Sequence, residues 1–181
     1  MTGIRLRAWD GSDAQLALIA DLYADTFSEP PYREDPAESR ASLIERVPRY
    51  AATKPHFRLI IAWDGATVAG FAFGTGIAAG DWWRDHIVDL LPPTARTTWL
   101  RDECFSVAEL AIAPEHRRRG IAGRLMAELL AEAPYPTAVL GCYADAKPAR
   151  QLYAALGWQE LVTDVHIGKS PALCILGRML S

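Results

Sequence analysis

Cysteine is scarce in this chain: Cys104, Cys142 and Cys174 are the three in 181 residues. They are odd in number, widely spaced and without paired metal-ligand spacing, so neither a disulfide framework nor a zinc site is expected, and no metal is anticipated. A reducing cytoplasm suits such a chain. Long apolar runs are also missing. No stretch approaches the ~20 residues a spanning helix needs, and residues 1–10 carry no continuous apolar core of a secretory leader, so no membrane role is expected. Positive charge is not in excess: 19 Lys and Arg stand against 22 Asp and Glu, a net charge of −3, which argues against a broad nucleic-acid footprint. No repeat or low-complexity tract divides the chain and half of it is hydrophobic, so residues 1–181 are expected to form a single domain.

What the chain does have is a basic, glycine-containing turn between a strand-like and a helix-like segment. Residues 107–112 read as a short strand, and Ile121, Leu125 and Leu129 repeat at helical spacing, so Arg117-Arg118-Arg119-Gly120 opens a helix over 120–132. The first turn of a helix carries N–H groups without internal partners and the positive end of the dipole, which together attract an anion. Gly120 and Gly123 allow close approach. The turn lacks the glycine-lysine-serine or -threonine ending of a Walker loop and the three-glycine spacing of a dinucleotide fingerprint. Read from these residues alone, it is either a phosphate site or a basic surface turn, with His116 at the loop surface.

A second segment follows in order. Residues 137–143 have the apolar, β-branched character of a buried strand, and 146–156 read as a helix stopped at Gly157, with Asp145 as N-cap and Pro148 in the first turn.

The Arg-x-x-Gly-x-Ala pattern at Arg117 to Ala122, after a strand ending at Pro114, resembles the acyl-CoA pyrophosphate loop of the GNAT acetyltransferase superfamily. Ala149, Leu152-Tyr153 and Gly157-Trp158 resemble that family's other signature, with one departure: the asparagine often found at the start of the second helix is Ala146 here, so its contact to the pantetheine arm is absent or supplied by Asp145. The resemblance is specific over 107–158. It implies a mixed α/β fold with a central twisted sheet of about seven strands and helices on both faces, and acetyl-CoA as co-substrate. It also implies that the backbone of Leu110, Ala111 and Ile112 holds the arm where two central strands splay apart, with Arg117, Arg118, Arg119, Gly120, Ile121, Ala122, Gly123 and Arg124 forming the phosphate cradle.

The rest of the chain fits around these segments. Residues 4–8 alternate as a strand, 14–27 carry a helical apolar stripe, 37–52 form a second helix interrupted by Pro48, and 56–63 with 67–76 read as strands joined at Asp64-Gly65. Residues 78–101 read as an insertion with a short helix and a long loop. Residues 161–167 and 172–180 read as a closing strand pair serving the core or a homodimer seam.

Amine acetylation needs a base, a held oxyanion and a proton for the departing thiolate. Glu109 interrupts an apolar strand and matches a position where several family members carry a carboxylate; it is either the base or an outward-facing residue that solvates the sheet. Tyr153 matches the family tyrosine near the sulfur, as general acid, or else is a packed core tyrosine. No cysteine has a histidine placed to activate it, so direct attack on the thioester within a ternary complex is expected. Phe27, Glu29, Tyr32, Trp82 and Trp83 are candidates for the acceptor cleft, the two tryptophans being alternatively packing anchors. The carboxylates of Glu29, Glu34, Asp35, Asp81 and Asp85 would favour a small cationic amine if they converged, and otherwise form a solvated acidic face. A non-catalytic acyl-CoA-binding or regulatory module of the same fold is the alternative reading.

Overall fold

A computed structural model describes residues 3–180. Seven strands hydrogen-bond in the order β1-β2-β3-β4-β5-β7-β6. In chain order the elements are β1 (Arg5–Ala8), α1 (Asp13–Ser28), α2 (Pro36–Thr53), β2 (Arg58–Asp64), β3 (Thr67–Ala78), α3 (Trp82–Leu90), α4 (Pro93–Trp99), β4 (Glu103–Ile112), α5 (Ile121–Leu130), β5 (Thr137–Tyr143), α6 (Lys147–Ala155), β6 (Gln159–Val165) and β7 (Leu173–Met179). β4 runs parallel to β5, whereas β1–β2, β2–β3, β5–β7 and β6–β7 are antiparallel. The chain divides into two compact units, Met1–Thr75 with Ala108–Glu132, and Gly76–Val107 with Ala133–Ser181.

In the first unit, strand alternation assigns the faces. Leu59, Ile61, Phe71 and Phe73 pack with Leu16, Ile19, Ala20 and Tyr23 of α1 and with Leu43 and Val47 of α2. Residues one position out of phase point the other way: a Cβ on Gly70 would meet Leu125 of α5 and stand 2.8 Å from the carbonyl oxygen of Ala111 and 2.7 Å from Cδ1 of Ile112. Glycine at 70 is thus what lets β3 and β4 lie close there. Burying rings such as Phe71 and Phe73 contributes roughly 1.5–3 kcal/mol each. Ser12 and Asp35 cap α1 and α2 by accepting from the backbone N–H groups of Gln15 and Glu38, and Pro36 occupies the first turn of α2. Pro48 does not end α2, which continues to Thr53 because Leu43 and Val47 anchor it to the core; the proline removes one backbone bond from the helix.

The second unit corrects the reading of residues 78–101. They form two helices rather than one helix and a long loop. Asp81 caps α3, accepting from the N–H groups of Trp83 and Arg84 at 3.0 and 3.3 Å, and Pro93 serves as an opening residue of α4 rather than a breaker. Two tryptophans seat these helices on the sheet. Trp83 covers Gly141 of β5 and Trp99 covers Gly177 of β7; a Cβ at either glycine would come within 2.7 and 2.6 Å of the indoles. Ile77, Ile87, Leu91, Cys104, Val139 and Ile175 complete this core. Leu173, Ile175 and Leu176 of β7 are buried, which places them in the core.

Candidate active site

The phosphate-type turn lies in the first unit, directly after β4. A single 3-10 turn, Pro114–His116, carries the chain out of the strand. His116 is buried at 6% exposure, not at the loop surface as expected, because its Nε2 lies 3.1 Å from Oδ2 of Asp64 at the end of β2. Asp64, whose role in the hairpin turn was evident from sequence, therefore also fixes the entrance to the basic turn.

Beyond His116 the four arginines divide. Arg117 donates from Nε to the Ile112 carbonyl at 3.1 Å and from Nη1 to Glu29 at 3.2 Å, and Arg124 donates to the Ile4 carbonyl at 3.0 Å. Arg118 and Arg119 are exposed and bond none of the described residues. Arg118 adopts a left-handed backbone, φ 61, and so does Gly120, φ 74, which occupies the N-cap of α5 without a side-chain cap. Glycine meets that conformation at no steric cost. The first-turn N–H groups of Ile121, Ala122 and Gly123 are accordingly left without a capping side chain, beside two unpaired guanidinium groups. Ile121 and Leu125 are buried and hold the helix in place.

Glu109 does not face outward. Its strand phase is that of Ala111, a member of the core beneath α1 and α2, and its carboxylate accepts from Arg46 Nη2 at 2.6 Å and from Tyr23 Oη at 3.2 Å. Burial pushes the Glu109 carboxyl above its ordinary value against the opposing pull of the Arg46 guanidinium. For Arg46, burial works against the charge but the Glu109 carboxylate outweighs it, so the guanidinium stays charged. Burial likewise raises the Tyr23 phenol, with the Glu109 charge adding to the effect. Sequence reasoning missed Tyr23 and Arg46. Their signal was a tyrosine within the helical stripe of α1 and an arginine beside that of α2, with partners 86 and 63 residues away.

Phe27 and Tyr32 continue from this cluster. The Tyr23–Phe27 and Phe27–Tyr32 ring centroids are each 4.6 Å apart. Glu29, by contrast, is engaged by Arg117. The other acidic candidates are each engaged locally: Asp35 and Asp81 cap helices, Glu34 accepts from Ser39 at 3.0 Å, and Asp85 accepts from the Gly80 N–H at 3.1 Å.

In the second unit, Tyr153 on α6 is buried, with its ring 6.1 Å from that of Trp158 in an edge contact at 67°. The expected Asp145 cap is not formed. Ala146 occupies the N-cap with no side-chain bond, and Asp145 contributes its carbonyl to Lys147; the chain enters the helix one residue later, with Pro148 preorganising the first turn. Trp82 is 64% exposed and stacks on His86 at 4.2 Å, whereas Trp83 is the residue against Gly141. Burial pushes the Cys104 and Cys142 thiols up to about 12, which keeps both protonated and unreactive near neutrality. Among the described residues no group of three or more His, Cys, Asp or Glu could hold a metal, and no helix is long and apolar enough to cross a membrane.

Comparison with known proteins bears on this arrangement. Residues 16–158 match the profile of the acetyltransferase (GNAT) family. The GCN5-like protein acetyltransferase Rv2170 of Mycobacterium tuberculosis is 30% identical over 125 residues, 65% of this chain and 61% of that protein, so the chain spans less than two thirds of this relative's length. A GNAT superfamily phosphinothricin acetyltransferase from Sinorhizobium meliloti, solved in complex with AcCoA, superposes with a TM-score of 0.70 at 18% identity, covering 99% of this chain and 89% of that one. A putative GNAT acetyltransferase from Desulfovibrio desulfuricans gives 0.69 at 14% identity, over 98% and 99% of the two chains. With the family profile spanning both signature segments, the chain belongs to the acetyltransferase (GNAT) family.

Proposed function

We propose that this chain transfers the acetyl group of acetyl-CoA to an amine by direct attack, with a small cationic amine as acceptor. The observation that carries the reading is the uncapped, left-handed opening of α5 beside the unpaired Arg118 and Arg119, a cradle for a pyrophosphate on a chain of this family. Ile121, Ala122 and Gly123 supply backbone donors to it. Arg117 acts by bracing the turn to Ile112 and Glu29, and Arg124 by bracing α5 to Ile4, just before β1. Backbone groups of Leu110, Ala111 and Ile112 hold the pantetheine arm. Acetyl-CoA supplies the activated acyl carbon.

The chain's own part is proton management. The ammonium loses one proton to Glu109, the amine nitrogen bonds to the acyl carbon as the carbon–sulfur bond breaks, Tyr153 protonates the departing sulfur, and the second nitrogen proton restores the Tyr153 phenol, leaving a neutral amide. The raised Cys104 and Cys142 thiols support a route without an acyl-enzyme. Phe27 and Tyr32 form an aromatic wall for the acceptor. A protein amine is the second acceptor reading, favoured by the relative named as a protein acetyltransferase and by the engagement of Glu29, Glu34, Asp35 and Asp81 with other groups.

The test is calorimetric titration with acetyl-CoA, CoA and ATP, repeated on the double variant Arg118→Glu, Gly120→Asp. CoA-selective binding abolished in the variant is the expected result. Equal binding of ATP, or none of any ligand, rejects the reading. Tyr153→Phe then separates enzyme from binding module: turnover, followed by thiol release, falls while CoA affinity holds.

A further inference from the structure

Both hydrogen bonds to the Glu109 carboxylate land on the same oxygen. Tyr23 Oη and Arg46 Nη2 donate to Oε1 at 3.2 and 2.6 Å, and none of the described residues bonds Oε2. Arg46 is itself held. Its guanidinium carbon lies 5.5 Å from the ring centroid of Phe73 and 6.0 Å from that of Tyr23, and the adjoining turns of α2 are fixed by the fully buried Leu43 and Val47. Rotating the carboxylate would break its charge-assisted bond, so the two oxygens stay distinct. Oε1, with two donors upon it, is the poorer proton acceptor. Oε2 is the better one, on a side chain that keeps 13% of its surface exposed.

We propose that Arg46 and Tyr23 are positioning residues that anchor Oε1 and so dedicate Oε2 to receiving the acceptor's proton, with the Arg46 guanidinium setting the pH at which that transfer begins. This rests on the reading of Glu109 as the base. The groups facing Glu109 are Tyr23 from α1, Arg46 from α2 and Glu34 from the segment between them. Arg46 and the Tyr23 hydroxyl favour the ionised carboxylate, whereas the Glu34 charge and burial oppose it. Removing Arg46 leaves the opposing influences in place, so Glu109 takes up its proton at higher pH and the acid limb of turnover moves upward with it.

The experiment follows the 13Cδ resonance of Glu109 by NMR titration in the unliganded protein, identified by its absence in Glu109→Gln. Arg46→Met raises the midpoint by about 1–3 pH units, the range for loss of an adjacent opposite charge. Arg46→Lys, which keeps the charge, moves it less, and Tyr23→Phe moves it upward by a smaller amount than Arg46→Met. The acid limb of kcat/KM, read with spermidine or a lysine peptide, whichever is turned over, shifts by the same interval, while KM for acetyl-CoA stays put. An unmoved midpoint in Arg46→Met overturns the proposal, as does a moved midpoint with an unmoved limb. Thermal melts report folding; should Arg46→Met not fold, unmoved midpoints in both Arg46→Lys and Tyr23→Phe overturn it instead. Full turnover by Glu109→Gln would reject the base itself, whereas an inactive Glu109→Gln with unmoved midpoints rejects only the positioning role.

Discussion

The indole of Trp83 occupies the space that a side chain on Gly141 would need, with a Cβ there standing 2.7 Å from Cη2 and 3.1 Å from Cζ2. A helix of the 78–101 segment is thereby seated on β5 by a bulky ring over a missing one. Gly141→Val should lower stability by about 1–3 kcal/mol through overpacking, measured by urea denaturation. Trp82→Ala, at the exposed neighbour, should change it by no more than about 0.5 kcal/mol. Equal losses in Gly141→Val and Trp82→Ala would refute this division of labour.

The contact between buried His116 and half-buried Asp64 ties the basic turn to the hairpin. Removing the carboxylate strands a ring whose Nδ1 already has no hydrogen-bond partner. Asp64→Ala should therefore cost about 1–3 kcal/mol. It should also weaken acetyl-CoA binding by loosening the segment before Arg117, although residue 64 contributes no arginine or first-turn N–H to the cradle. Calorimetry on the variant checks the second effect, and unchanged affinity would limit the pair to stability.

The Cys104 thiol, raised by burial from 9.0 to about 12, makes stability depend on alkaline pH. Between those values the unfolded chain has released a proton that the folded one retains, so stability falls as pH rises. The contribution is whole below pH 9 and lost as pH rises through 12. Cys104→Ala should flatten the alkaline limb of a melting-temperature profile between those limits, whatever it does to stability at pH 7. An identical limb in the variant would assign the loss to other groups.

Local chemistry made much of this fold legible in the sequence. Asp64-Gly65 marked its hairpin, Gly157 marked a helix end, and the 3.6-residue stripes of α1 and α5 marked their buried faces. What escaped depended on distant partners. His116 is buried because Asp64, 52 residues earlier, meets it. Glu109 stood between two readings because alternation alone does not say which face of a strand is covered, and Arg46 and Tyr23 come from separate helices. The second helix of the 78–101 segment was hidden by Pro92-Pro93, which can equally break a helix or open one.

Gly70 has a consequence for how such a chain diverges. The smallest step away from glycine already sets a methyl group against the Ala111 carbonyl oxygen and the Ile112 side chain, on the strand assigned to the pantetheine arm. Mutational drift has no gradual route through that position. Phe27 and Tyr32 are only partly buried, at a helix end and in the turn beyond it, and substitution there displaces no neighbouring strand. Under the assignment proposed above, the acceptor side of the site therefore has room for substitution that the cofactor side at Gly70 lacks.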